Sequence, residues 1–346
     1  MEHTAVYGTD APTFWWSFAQ AQPNAGAVAP VEAIKPVLMI VYKPGDWWKA
    51  LAHFHKTKVL WVLLGRVAIV GFYVAAVTAA QLEYFNFILK VEREYFSFLG
   101  ILLSLLLVFR TNTAYDRYYE GRRQWGTLIS ASRNLSALLG AALPAEAAGH
   151  RVFFARLLSN FALALEGHLR DNVDYNQLEH IEGVTPEALR AADHLPTKLA
   201  TILQASYESL HDQNILKPVH LLQIQPYHGS LLEVAGACER IRTTPIPFSY
   251  SFFIKGFITI FLLIMPFVLL DTYGYFTIPI VMIGAYALLG LELIGEEIEQ
   301  PFGLESNDLP LTQLANRVRV SVHEALGVSL PGYKKALADL PYTVVH

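Results

Sequence analysis

Long apolar runs come in two pairs along this chain, and an amphipathic stretch separates the pairs. VLWVLLGRVAIVGFYVAAVTAA, Val59 to Ala80, is interrupted only by Arg66, and YFSFLGILLSLLLVF, Tyr95 to Phe109, carries no charge at all. FFIKGFITIFLLIMPFVLL, Phe252 to Leu270, holds Lys255 near one end and Pro266 near the other; YGYFTIPIVMIGAYALLGLELI, Tyr273 to Ile294, runs into GEEIEQ. The hydrocarbon core of a bilayer takes about 20 apolar residues as helix. The pattern therefore predicts four membrane spans, at about 59–80, 95–117, 252–270 and 273–294, the second relying on its polar continuation to stay helical.

The links decide how the spans pair. QLEYFNFILKVERE joins the first two and DTYG the last two, so each pair reads as a hairpin, with Asp271 and Gly274 in the second turn. Basic residues crowd HFHKTK before the first span, and Arg110, Arg117, Arg122 and Arg123 follow the second. Positive charge favours the cytoplasmic side, which puts the stretch from Arg110 to Ser251 and both termini in the cytoplasm. That stretch reads as helices: RRQWGTLISASRNLSALLGAAL, GHRVFFARLLSNFALALEGHLR and GSLLEVAGACERIRTT repeat apolar residues at helical spacing, and Pro218 stands where proline starts a helix. Strand-like alternation is missing. The expected fold is all-α, with cytosolic helices over about 118–247 and 296–325.

The ends read differently. Residues 1–34 are rich in small residues and proline, lack the form of a secretory signal, and are expected to be irregular. DWWKAL resembles a surface helix anchored at the interface by Trp47 and Trp48, PIPFSYSFF reads as a non-helical corner at Pro245 and Pro247, and 326–346 is expected to be a tail.

Composition supports the membrane reading and removes several functions. Of 346 residues 53% are hydrophobic and 16% charged, and mean hydropathy is +0.33, too apolar for an ordinary soluble chain. A net charge of -4, from 26 basic and 30 acidic residues, suggests no nucleic-acid partner. Cys238, the only cysteine, excludes an intrachain disulfide and a multi-cysteine zinc site. His53 and His55 have no third ligand at recognisable spacing, and no H-E-x-x-H occurs, so neither metal nor cofactor is expected.

Charges inside or beside the spans need partners. Arg66 is costly in lipid unless it faces protein, and Glu292 is an acid it can meet. Glu292, Glu296, Glu297 and Glu299 recur at helical spacing without the Glu-x-x-His of a di-iron bundle. A structural charge network of Arg66, Arg117, Glu292, Glu296 and Glu297, reaching also to Arg122 or Arg240, is expected. The alternative is a membrane-embedded, metal-dependent enzyme using the Glu292 to Glu299 helix.

FRTNTAYDRYYEGRRQWG after the second span, GACERIRTTPIPFSY before the third and GEEIEQPFGLESNDLPL after the fourth together resemble the bestrophin family, in particular its bacterial members. The resemblance covers roughly residues 35–325. It implies a homopentameric channel with one axial pore, four membrane helices per subunit and a helical cytosolic region, and no enzyme activity. The family's second membrane helix lines a hydrophobic neck with three residues spaced four apart, which fall here on Ile101, Leu105 and Phe109. A second, cytosolic constriction follows a proline at a helix start; KPVHLLQ selects Val219, or Leu222 one turn on.

The residues themselves leave the neck face open, because the span is apolar all round and Leu102, Leu103 and Leu106 serve the pattern equally. The implied cargo is chloride and similar monovalent anions, and the implied surroundings are lipid of the cell's inner membrane. Aromatic edges carry partial positive charge that suits an anion, but Leu105 offers none, so monovalent cation conduction stays open. Calcium-gated members carry adjacent carboxylates where this chain has QPFGLESNDLPL; Glu305 and Asp308 remain without such a run, and no high-affinity calcium clasp is expected.

Overall fold

The computed structural model describes residues 40–42, 58–84, 91–144, 146–305, 307–330 and 343–345. Residues 1–34, the Trp47–Trp48 segment and His53 with His55 lie outside the described residues, as does most of the expected tail. Among the described residues the regular structure is helical apart from one short parallel ladder, β1 (Ile40–Tyr42) with β2 (Thr343–Val345). Three residues per strand are too few for alternation to be visible in the sequence.

The described chain forms two compact units, one from residues 58–124 and 237–310 with the strand pair, the other from 125–236 and 311–330. In the first lie α1 (Lys58–Ala79), the start of α2 (Arg93–Ala142), α7 (Phe248–Tyr273) and α8 (Thr277–Ile298). Among the described residues three helical stretches are long and apolar enough to cross a membrane: Val59–Tyr84, Arg93–Ala142 and Phe248–Ile298. The third folds back on itself as α7 and α8 at Gly274, whose φ of 51° is a conformation glycine adopts without steric cost.

Side-chain neighbours give the helix directions. Gly71 lies against Met282 and Gly290 against Leu63, so α1 and α8 are antiparallel. Tyr73 on α1 donates to the Leu263 carbonyl at 2.9 Å and Glu83 accepts from the Tyr275 hydroxyl, so α1 and α7 run together. Phe96 stacks on Phe261 at 4.2 Å and Arg93 reaches Thr272, so α2 opposes α7. The result is an up-down-up-down bundle. Lipid supplies no hydrophobic drive between helices, and close approach at small residues holds such bundles instead. Gly71 against Met282 and Gly284 against Met265 are such approaches.

α2 differs from its expected form. The helix that holds the expected span at 95–117 runs without a break from Arg93 to Ala142, 50 residues, about 75 Å at 1.5 Å per residue. Gly121 within it is packed: a Cβ there would lie 3.0 Å from the Phe302 ring. With no proline in the stretch, nothing removes a backbone donor.

The second unit contains the end of α2 with α3 (Ala148–Leu169), α4 (Pro186–Arg190), α5 (Leu195–Asp212), the start of α6 (Pro218–Thr243) and α9 (Leu311–Ala325). α3 is buried almost throughout from Phe153 to Leu169 and packs on α9 and α5. Phe154 stacks on Tyr207 of α5, and Val318 and Val322 of α9 are fully buried. Pro218 does begin α6, which runs unbroken through Pro226 to Thr243. After α3 the chain reverses tightly: a Cβ on Gly167 would stand 2.7 Å from the Val173 backbone.

The loop after α3 is held by a buried charge. Asn160 on α3 donates to the Glu179 carbonyl and accepts from its N–H, both at 2.7 Å. The Glu179 carboxylate meets Arg319 at 2.5 Å and His323 at 3.2 Å on α9. Burial alone would raise this carboxyl, yet the hydrogen bonds and charges of His323 and Arg319 outweigh it and hold Glu179 below its ordinary range. The stability Glu179 adds is therefore present above about pH 4.3 and lost as the pH falls through its lower folded-state value. Glu179→Gln is expected to cost about 1–3 kcal/mol at neutral pH and to flatten the acid limb of the melting-temperature profile. Identical profiles for variant and parent, measured on detergent-purified protein, would show that the cluster adds nothing.

Candidate ion pathway and the charged collar

α2 shows two faces in the bundle. Taking Ile101 as origin at about 100° per residue, Phe96, Leu103, Leu107, Arg110 and Ala114 fall between about 180° and 240°. All five are buried. Ile101, Leu105 and Phe109 fall at about 0°, 40° and 80° and are 66%, 50% and 54% exposed. Of the alternatives left open by the sequence, Leu103 is buried, Leu106 is partly buried, and Leu102 is exposed at 38%. The stripe of Ile101, Leu105 and Phe109 lies opposite the packed face. Val219 and Leu222 stand on the first turns of α6 in the second unit, exposed at 51% and 76%.

A collar of charge closes one end of the bundle, where α1 and α7 begin and α8 ends. Arg66 Nη1 lies 3.5 Å from Glu292 Oε2, and Lys255 Nζ lies 3.4 Å from Glu292 Oε1 and 2.8 Å from Glu296 Oε1. Glu292 is buried on α8, and the two cations come to it from α1 and α7. Glu297 instead accepts from the Asn307 amide at 3.0 Å.

The pair that the sequence reading missed lies deeper. Arg110 is 2% exposed, and its Nη1 stands 2.8 Å from Glu299 Oε2. The other carboxylate oxygen of Glu299 accepts the Ile246 N–H at 2.9 Å. Arg117, expected in a network with the glutamates from Glu292 to Glu299, donates to carbonyls: Nε to Glu299 O at 3.0 Å, Nη2 to Ile241 O at 2.6 Å and Nη1 to Thr244 O. The physical reason is the end of α6, whose last carbonyls have no intrahelical donor and carry the negative pole of the helix. A guanidinium with five donors satisfies several of them at once.

Arg110 read as an exit from the membrane because it ends an uncharged run. Its place on the buried face follows only once the register of Leu103, Leu107 and Ala114 is known. Glu305 and Asp308 sit in the loop after α8, where the Asp308 carboxylate accepts the Glu305 N–H at 2.7 Å.

A buried ion pair broken on one side leaves an uncompensated charge, at a cost of about 3–5 kcal/mol. Arg110→Ala and Glu299→Ala are each expected to lower the melting temperature of purified protein strongly, and the double variant by clearly less than the sum. Additive losses in that cycle would show that the two groups do not depend on each other.

The sequence pattern described as "Bacterial/Fungal Bestrophin protein" matches residues 39–324. A voltage-dependent anion channel-forming protein of Synechocystis sp. is 36% identical over 234 residues, covering 66% of this chain and 75% of that one. A protein of the same description from Escherichia coli K12 is 29% identical over 285 residues, 82% of this chain and 93% of its own. The crystal structure of a bacterial bestrophin homologue from Klebsiella pneumoniae, 26% identical, matches 79% of this chain and 100% of its own with a TM-score of 0.70. Multi-pass apolar helices, the family pattern and the shared fold together make this chain a membrane protein of the bacterial and fungal bestrophin family.

Proposed function

We propose that the chain forms a homopentameric channel for small monovalent anions, chloride among them, with its pore on the five-fold axis. Residues 35–325 build the channel, each subunit contributing four spans, and 326–346 follow as a tail. The protein sits in the inner membrane with both termini in the cytoplasm. The observation that carries the reading is the α2 stripe: Ile101, Leu105 and Phe109 are exposed opposite a fully packed face. The descriptions of the Synechocystis and Escherichia coli relatives as anion channel-forming supply the ion class.

In this reading five copies of the stripe surround a narrow neck. Apolar rings offer no substitute for an ion's hydration shell, so a narrow neck dewets and stops ions, and slight widening readmits water. Phe109 presents ring edges of partial positive charge to a passing anion. Val219, with Leu222 a turn further, forms a second apolar ring on the cytosolic side. Arg66, Arg117, Glu292, Glu296 and Glu297 serve structure rather than conduction, and no metal or cofactor takes part.

Purified protein in a planar bilayer under a potassium chloride gradient is expected to reverse near the chloride equilibrium potential. Ile101→Ala, Leu105→Ala and Phe109→Ala are each expected to change conductance, gating or selectivity. Reversal near the potassium potential would assign the same pore to cations, and three alanine variants indistinguishable from the parent would remove the neck from this face. Cross-linking of the detergent-solubilised protein is expected to stop at five copies; a ladder ending at two would sink the five-fold pore.

A further inference from the structure

The exposed stripe of α2 does not end at Phe109. With Ile101 at the origin, Asn112 falls at about 20°, Asp116 at 60°, Tyr119 at 0° and Arg123 at 40°, within the sector that holds the proposed neck. All four are exposed. One helical face therefore passes without a turn from apolar to polar. Asp116 makes no hydrogen bond or ion pair among the described residues. Tyr115 and Tyr119 stack on each other at 6.3 Å, with Asp116 between them in sequence. Arg123 approaches Glu120 at 3.8 Å, and its side chain remains 71% exposed.

We propose that Asp116 and Arg123 are specificity-determining residues of the ion pathway, one carboxylate and one guanidinium per subunit acting in succession on an ion that has left the neck. The inference rests on the neck reading given above. Asp116 lies about 10 Å along the helix from Phe109, and Arg123 about 10 Å further. The neck carries no full charge and only the ring edges of Phe109 favour an anion, so fixed charges on the same face set the local concentration of anions and cations that can enter it. Asp116 opposes anions, Arg123 favours them, and Asn112 rehydrates either ion between the neck and the first charge.

Reversal potentials in a potassium chloride gradient test this. Asp116→Asn is expected to raise the chloride-to-potassium permeability ratio by about twofold or more, Asp116→Lys further, and Arg123→Gln to lower it by a similar factor. Each shift is expected to shrink between 0.1 M and 1 M salt, as the Debye length falls from about 10 Å to about 3 Å. Melting temperatures are expected to stay near the parent's, because both side chains are exposed. Parent-like ratios in all three variants, with a changed Phe109→Ala channel, would overturn this inference and leave the neck standing. Parent-like behaviour in the neck variants as well would overturn the neck reading itself, and a parent protein that passes no current would overturn both.

Discussion

Arg110 has to be paired where it lies. A guanidinium on the packed face of α2 is tolerated only with a counter-charge and hydrogen bonds at hand, and Glu299 at the end of α8 supplies both. The same glutamate holds the Ile246 N–H, and its own carbonyl is held by Arg117, which also takes the last carbonyls of α6. Pro245 and Pro247 have no N–H of their own, so Ile246 is the donor through which that corner can be tied down. One carboxylate thus joins α2, α8 and the turn from α6 into α7. By fixing Arg110 inward it also fixes the rotation of α2, and the stripe of Ile101, Leu105 and Phe109 faces out as a consequence.

Exposure of apolar side chains by itself does not distinguish a lipid-facing stripe from a pathway. Ile69 and Phe72 on α1 are 72% and 79% exposed and need no partner in hydrocarbon. What separates α2 is its continuation. A helix face turned to lipid ends in aromatic and basic interface residues; this one has such residues in Tyr119 and Arg123 but sets the exposed Asn112 and the carboxylate of Asp116 ahead of them on the same line. Asp116 is poor company for lipid and good company for a hydrated ion.

Much of this was legible in the sequence. The four apolar runs, the corner at Pro245 to Pro247, the start of α6 at Pro218 and the turn at Gly274 all follow from hydropathy and backbone chemistry. So does the meeting of Arg66 and Glu292, since an intramembrane charge demands an opposite one. Three things were hidden, the Arg110–Glu299 pair among them, since Arg110 stands where an uncharged run ends. The face of α2 could not be read because Tyr95 to Phe109 is apolar on every side, and amphipathic periodicity is the only local signal of orientation. The partners of Arg117 were hidden because they are backbone carbonyls at a helix end, which no side-chain pattern announces.

The collar also bears on how the proposed neck would open. Turning α2 about its axis by one residue's worth, about 100°, would present a different leucine to the pathway and swing Arg110 out of reach of Glu299. A buried charge stripped of its partner is expensive, so large rotation is the most costly movement available to this helix. Small outward displacement, or a change of rotamer at Leu105 and Phe109, leaves the collar intact. A neck that dewets needs no more than that, since wetting depends steeply on width. The pair that orients the stripe therefore also confines its movement to the kind that an apolar gate can use.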